Sequence, residues 1–103
     1  RKLLSRWLPK GGAGPTKEQR EAGLYRIRLF GKRDGRPTLD LRVEGDLDPG
    51  YGDTAKMLGE SALSLAYDVL PETYGVLTPA IAMGTPLATR LRRVNIRFEL
   101  DEP

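Results

Sequence analysis

The sequence predicts an α+β domain: a small antiparallel or mixed sheet, built from a β-hairpin and a C-terminal strand, with helices packed on one face, in the order β-β-α-α-β. Three observations carry this prediction. Two stretches of period-two alternation flank the dipeptide Asp34-Gly35, which is the signature of a tight hairpin. From Asp53 to Leu70, apolar residues recur at helical spacing. The last residues before the C-terminus alternate once more.

Taken in order, Arg1 to Leu8 reads as the end of an amphipathic helix, with Leu4 and Leu8 on one face, Leu3 and Trp7 beside it, and Pro9 as its stop. Gly11, Gly12, Gly14 and Pro15 form a breaker-rich connector, and Thr16 caps a short helix reaching Arg20 or Glu21. Residues 1–23 thus divide off as a helix end and connector, expected to drape over another surface or to be mobile. Residues 24–103 form the α+β domain. In the first strand, Leu24 to Lys32, Tyr25, Ile27 and Leu29 oppose Arg26 and Arg28. In the second, Thr38 to Glu44, Leu39, Leu41 and Val43 oppose Asp40, Arg42 and Glu44. Arg26 and Arg28 are therefore placed to pair with Asp40 or Glu44 across the hairpin. The main helix, Asp53 to Leu70, is expected to bury Leu58, Ala62, Leu65 and Val69, and Pro71 ends it. Ala80 to Gly84 suggests one helical turn, and Thr85-Pro86 opens a helix carrying Leu87 and Leu91. A last strand carries Val94, Ile96, Phe98 and Leu100 on one side. Three strands leave two long edges that invite pairing with a second copy.

Composition narrows the chemistry. The chain has no Cys and no His, so disulfides, thiolate metal sites and imidazole acid–base catalysis are excluded. It starts at Arg1 and reads as a processed or truncated piece of something longer, with no signal pattern or membrane-spanning run. Residues 1–45 carry a net charge of +7 and residues 46–103 a net of −4. A basic half can meet an anionic membrane, although arginines alternating with apolar residues also describe a solvated sheet face. Basic residues interleaved with acids, without a recognition motif, argue against nucleic acid. Trp7 and Tyr25 are better read as core than as base-stacking residues.

The run Asp48-Pro49-Gly50-Tyr51-Gly52-Asp53-Thr54-Ala55-Lys56-Met57 is the candidate site, because it sets a turn and polar side chains before a long helix. Gly50 and Gly52 suggest an anion cradle, yet no third glycine follows at the required spacing and no βαβ unit surrounds them. The alternative is a Pro-Gly turn with Asp53 or a neighbour as helix cap. A Tyr51–Lys56 proton-transfer pair fails on geometry, since five residues put the two about 140° apart on an ideal helix. Asp46, Asp48 and Asp53 lack the spacing of a calcium loop.

Several blocks in register add a resemblance. Gly14-Pro15-Thr16 with Gln19-Arg20, Gly45 with Asp48-Pro49-Gly50-Tyr51, and Thr54-Ala55-Lys56-Met57 are followed by Glu60-Ser61-Ala62-Leu63, Gly75-Val76-Leu77-Thr78-Pro79-Ala80, Ala82-Met83-Gly84, Leu87, Leu91, Asn95-Ile96 and Phe98. Together, across residues 8–100, they resemble the C-terminal part of the saccharopine-dehydrogenase-like oxidoreductases, in the branch of bacterial trans-acting enoyl reductases. Only Gly11-Gly12-Ala13 departs from that family's usual Pro-Gly-acidic run.

The resemblance implies a parent enzyme with an N-terminal Rossmann part that binds NAD(P) and reduces a carbon–carbon double bond on a lipid or polyketide intermediate. It implies cytoplasmic or peripheral-membrane residence. On this reading the present chain is the substrate-side and packing domain: it binds no cofactor itself, is inactive alone and lacks its Rossmann partner. Gly50, Tyr51, Thr54 and Lys56 are then the candidate substrate contacts, a role drawn from their chemistry and position. The other class of function is a non-catalytic interaction module that binds a partner subunit, a carrier protein or an anionic membrane.

Overall fold

A computed structural model describes residue 12 and residues 14–101 of the chain. The expected helix at Arg1 to Leu8, with Pro9 and Gly11, lies outside the described residues. The elements run α1 (Lys17–Glu21), β1 (Tyr25–Arg33), β2 (Arg36–Gly45), α2 (Gly52–Tyr67), α3 (Pro79–Arg93) and β3 (Arg97–Asp101). This is an α+β fold with a wholly antiparallel sheet in the order β1-β2-β3.

Local chemistry makes the hairpin. Asp34 (φ 52°) and Gly35 (φ 76°) both take the left-handed conformation that a two-residue turn demands. The register sets Ile27 opposite Val43 and Val43 opposite Phe98, and likewise joins Leu29, Leu41 and Leu100. One sheet face is therefore apolar. The other carries a charge lattice: Arg26 pairs with Glu44, Arg28 with Asp40 through two bonds of 2.9 and 2.6 Å, and Arg42 with Glu99 at 2.9 Å. The expected cross-hairpin pairs thus form.

Thr16 caps α1 through a full capping box, its hydroxyl accepting from the Gln19 amide while the Gln19 side chain accepts from the Thr16 amide. Residues 1–23 were expected to drape over another surface or to be mobile. Of these, residues 14–23 lie on the turn before α2, where the Asp48 amide donates to the Arg20 carbonyl at 2.9 Å. Gly23 lies so close to the Asp48 backbone that a side chain would collide with it.

Three boundaries move. α2 ends at Tyr67, with Asp68 as its C-cap, short of the expected Leu70 and before Pro71. The stretch from Val94 to Ile96 closes α3 rather than opening β3. Asn95 turns left-handed (φ 66°) and the Ile96 amide reaches back to the Leu91 carbonyl at 3.0 Å, a helix-terminating pattern. Asn95 tolerates that conformation, and alternation alone cannot distinguish such a turn from a strand. α3 is broken at Gly84 (φ 48°, ψ −130°), as the pairs Thr78-Pro79 and Thr85-Pro86 suggest: two helical pieces meet at a bend.

The core is small: Met83, Leu87, Leu91 and Ile96 are buried, with Met57, Leu70, Ala82 and Phe98 packed against them. The largest correction concerns α2. Its leucine stripe was expected inside, yet Leu58 is 73% exposed, Leu65 61% and Val69 94%. Met57 packs against the α3 core, but toward the C-terminal end of α2 the contacts with α3 are polar instead. Arg90 of α3 reaches across to Asp68 with bonds of 2.6 and 2.8 Å and to Glu60 at 3.5 Å, and Ser64 is buried nearby. A bidentate guanidinium–carboxylate pair fixes geometry as well as charge, so it selects which side of α2 turns inward. The helices meet the sheet near Phe98 and leave Ile27 and Leu29 about half exposed (50% and 47%).

This seam has an acid signature. The hydrogen bond from Arg90 holds the Asp68 pKa down from 3.8 to about 2. A depressed carboxylate contributes stability above its unfolded value and loses it as pH falls through its folded value. Denaturation midpoints should therefore drop between 3.8 and about 2, and Asp68→Asn should flatten that part of the profile. An unchanged acid limb in the variant would show that the seam does not support the fold.

Candidate functional site

The Asp48–Met57 segment links the end of β2 to the start of α2. The Asp48 carboxylate accepts from the Tyr51 amide at 2.7 Å, and its carbonyl accepts from the Asp53 amide at 3.0 Å. Asp48 thus organises the entry into α2 with the compact turn typical of Asp. Of the expected caps, Asp53 or a neighbour, Asp53 does not act as one; its neighbour Tyr51 holds the N-cap position but makes no side-chain capping bond.

Asp53 goes inward instead and is fully buried. Lys56, one turn along, places its ammonium 2.8 Å from Asp53 Oδ1 and 2.6 Å from Asp46 Oδ1. Asn95 Nδ2 donates to the other Asp46 oxygen at 2.9 Å. The interlock ties β2, α2 and the α3–β3 turn together. Burial works against the charge on Lys56, but its bonds to Asp46 and Asp53 outweigh this and raise its pKa. Lys56 is therefore a held cation, poorly suited to donating a proton near neutrality. The Tyr25 hydroxyl is pushed up by burial first and by the Asp53 charge second.

The four predicted contacts separate into different environments. Gly50 lies beside the Asp48 carboxylate, and the Tyr51 ring packs over Gly14 while staying 58% exposed. Lys56 faces the acidic pair. Thr54 donates its hydroxyl to the Pro49 carbonyl at 2.7 Å and lines an apolar groove between α2 and α3.

That groove, of about 550 Å³, has Met57 and Leu58 on the α2 side, Leu87 and Leu91 on the α3 side, and Phe98 from β3. Ala80, Gly84 and Ala88 complete the α3 wall. Sequence reasoning singled out Thr54 but missed the rest of the lining. The available signal was the Gly84-Thr85-Pro86 break, which bends α3 and shapes that wall.

The turn does not fit a nicotinamide dinucleotide. A pyrophosphate needs free amides and no competing anion, whereas the Tyr51 and Asp53 amides are already bonded to Asp48 and its carboxylate occupies the space beside Gly50. Among the described residues, no group of three His, Cys, Asp or Glu side chains is placed to hold a metal ion. Among them, too, no helix is long and apolar enough to cross a membrane.

Over 101 residues, 96% of its length, the chain is 41% identical to a Mycobacterium tuberculosis protein provisionally named a trans-acting enoyl reductase. It is 39% identical over 97 residues to the trans-acting enoyl reductase of Mycobacterium ulcerans and 38% identical over 93 residues to that of Mycobacterium bovis. Its homologues carry the name trans-acting enoyl reductase. The chain covers 96%, 92% and 88% of itself in these matches but only 24%, 23% and 22% of the relatives' lengths, about a quarter of each. No family model and no solved structure matches it.

Proposed function

We propose that this chain is the C-terminal, substrate-side and packing domain of an NAD(P)-dependent enoyl reductase of the saccharopine-dehydrogenase-like class, acting on a lipid or polyketide intermediate. The carrying observation is the 41% identity over 96% of the chain to a relative four times as long. Reduction of an enoyl group adds a hydride to one alkene carbon and a proton to the other. The nicotinamide must be held against the alkene with water excluded, and the turn before α2 is not built to hold it. The cofactor therefore belongs to a Rossmann part outside this chain. The groove beside Thr54 is the surface that offers the substrate an apolar wall.

The test compares the chain alone with the chain joined to an upstream nucleotide-binding part. Calorimetry should detect no NADPH or NADH binding by the chain alone, and an enoyl thioester should be reduced only by the longer protein. Nicotinamide binding by the 103-residue chain would overturn the division of labour.

A second reading, an interaction module without catalysis, is favoured by the exposed Leu58 and Leu65 on α2 and the exposed Val69 just beyond its end. Its partner would be a protein surface more readily than an anionic membrane, because Arg26, Arg28 and Arg42 are already paired with acids. Binding to anionic vesicles that weakens with salt would restore the membrane alternative.

A further inference from the structure

We propose that the α2–α3 groove is a binding site for a linear acyl chain, with an anionic head group near Arg92. This deepens the enoyl reductase reading and rests on it for the choice of an acyl ligand. The rest of the argument is physical. The groove is concave, of about 550 Å³, within the range of small-molecule sites. Among the described residues no charged side chain lines it, and its two hydroxyls donate elsewhere: Thr54 to the Pro49 carbonyl and Ser61 to the Met57 carbonyl, each at 2.7 Å. A ligand there meets no free side-chain hydrogen-bond donor and gains chiefly by burying apolar surface. An alkyl chain satisfies this, whereas a polar group would be desolvated without replacement.

Charge supplies the orientation. The Arg92 guanidinium lies 5.5 Å from the centroid of the Phe98 ring, which lines the groove. The cation is exposed and within reach of a carboxylate or phosphate at the end of a chain lying against Phe98. Leu65, also exposed on α2, lies outside the groove lining.

The experiment titrates the full chain with cis-parinaric acid, a linear fatty acid whose fluorescence rises in apolar surroundings, and with its methyl ester. Binding should saturate. Ala88→Trp, which fills the groove, should weaken it roughly tenfold or more. Leu58→Glu, at an exposed rim position, should do likewise without disturbing the buried residues. Arg92→Gln should weaken the acid and leave the ester unchanged, and Leu65→Gln, outside the groove, should alter neither. Non-saturable binding, equal binding by both groove variants and the parent, or loss in Leu65→Gln would overturn the proposal. Saturable binding with no enoyl reduction by the longer protein would keep the groove and remove the catalytic reading. Reduction without probe binding would do the reverse.

Discussion

Replacing Gly45 by alanine is expected to destabilise the fold by about 3 kcal/mol, the upper part of the range for forced overpacking. A Cβ at this position would overlap Asp53 Oδ2 and the ring of Tyr25. Neither neighbour can readily give way. Asp53 is fully buried and tied to Lys56, and Tyr25 sits in β1 directly opposite Gly45 in the ladder. Glycine is needed here for close approach of the sheet to α2. A urea titration followed by circular dichroism gives the measurement. A midpoint within error of the parent would mean that β2 and α2 do not meet as described.

The second large effect is expected at Lys56. Lys56→Met keeps much of the aliphatic stem but removes the only cation within bonding distance of buried Asp53 among the described residues. Breaking a buried pair by deleting one partner commonly costs about 3–5 kcal/mol, because the remaining charge has no compensation. Lys56 is partly accessible, with 22% of its side chain exposed, so a loss near about 3 kcal/mol is expected. The double variant Lys56→Met, Asp53→Asn should recover more than half of it. A single variant as stable as the parent, or a double variant no better than the single, would show that the interlock carries no weight.

These two positions show what the sequence reveals and where it stops. The hairpin was legible because its causes are local: Asp34 and Gly35 tolerate the turn, and alternation fixes the register. The break in α3 was legible for the same reason. The inward face of α2 was not. A leucine stripe signals that some apolar neighbour is wanted without saying which one, and within this chain the Arg90–Asp68 pair decides the rotation. Lys56 was singled out as a ligand contact with Tyr51 as its rejected partner. Its actual partners are Asp46, ten residues away in the connection that follows β2, and Asp53, one turn back. Only the folded connection of β2 to α2 brings those two acids to one ammonium. Asp53 was read as a cap because of its position, but the close approach permitted by Gly45 draws it inside. Thr54 reaches the groove as a member of a wall whose other side comes from α3, far along the chain.

The bend at Gly84 gives the apolar groove a property that its residue composition does not convey. Ala80 lies on one side of the bend and Leu87, Ala88 and Leu91 on the other, and all four line the same groove. The spacing of the two wall segments, and with it the girth of any occupant, is governed by two torsions of one residue that has no side chain. The gauge of the channel is in that sense a backbone quantity, adjustable at a single joint while every lining side chain stays the same.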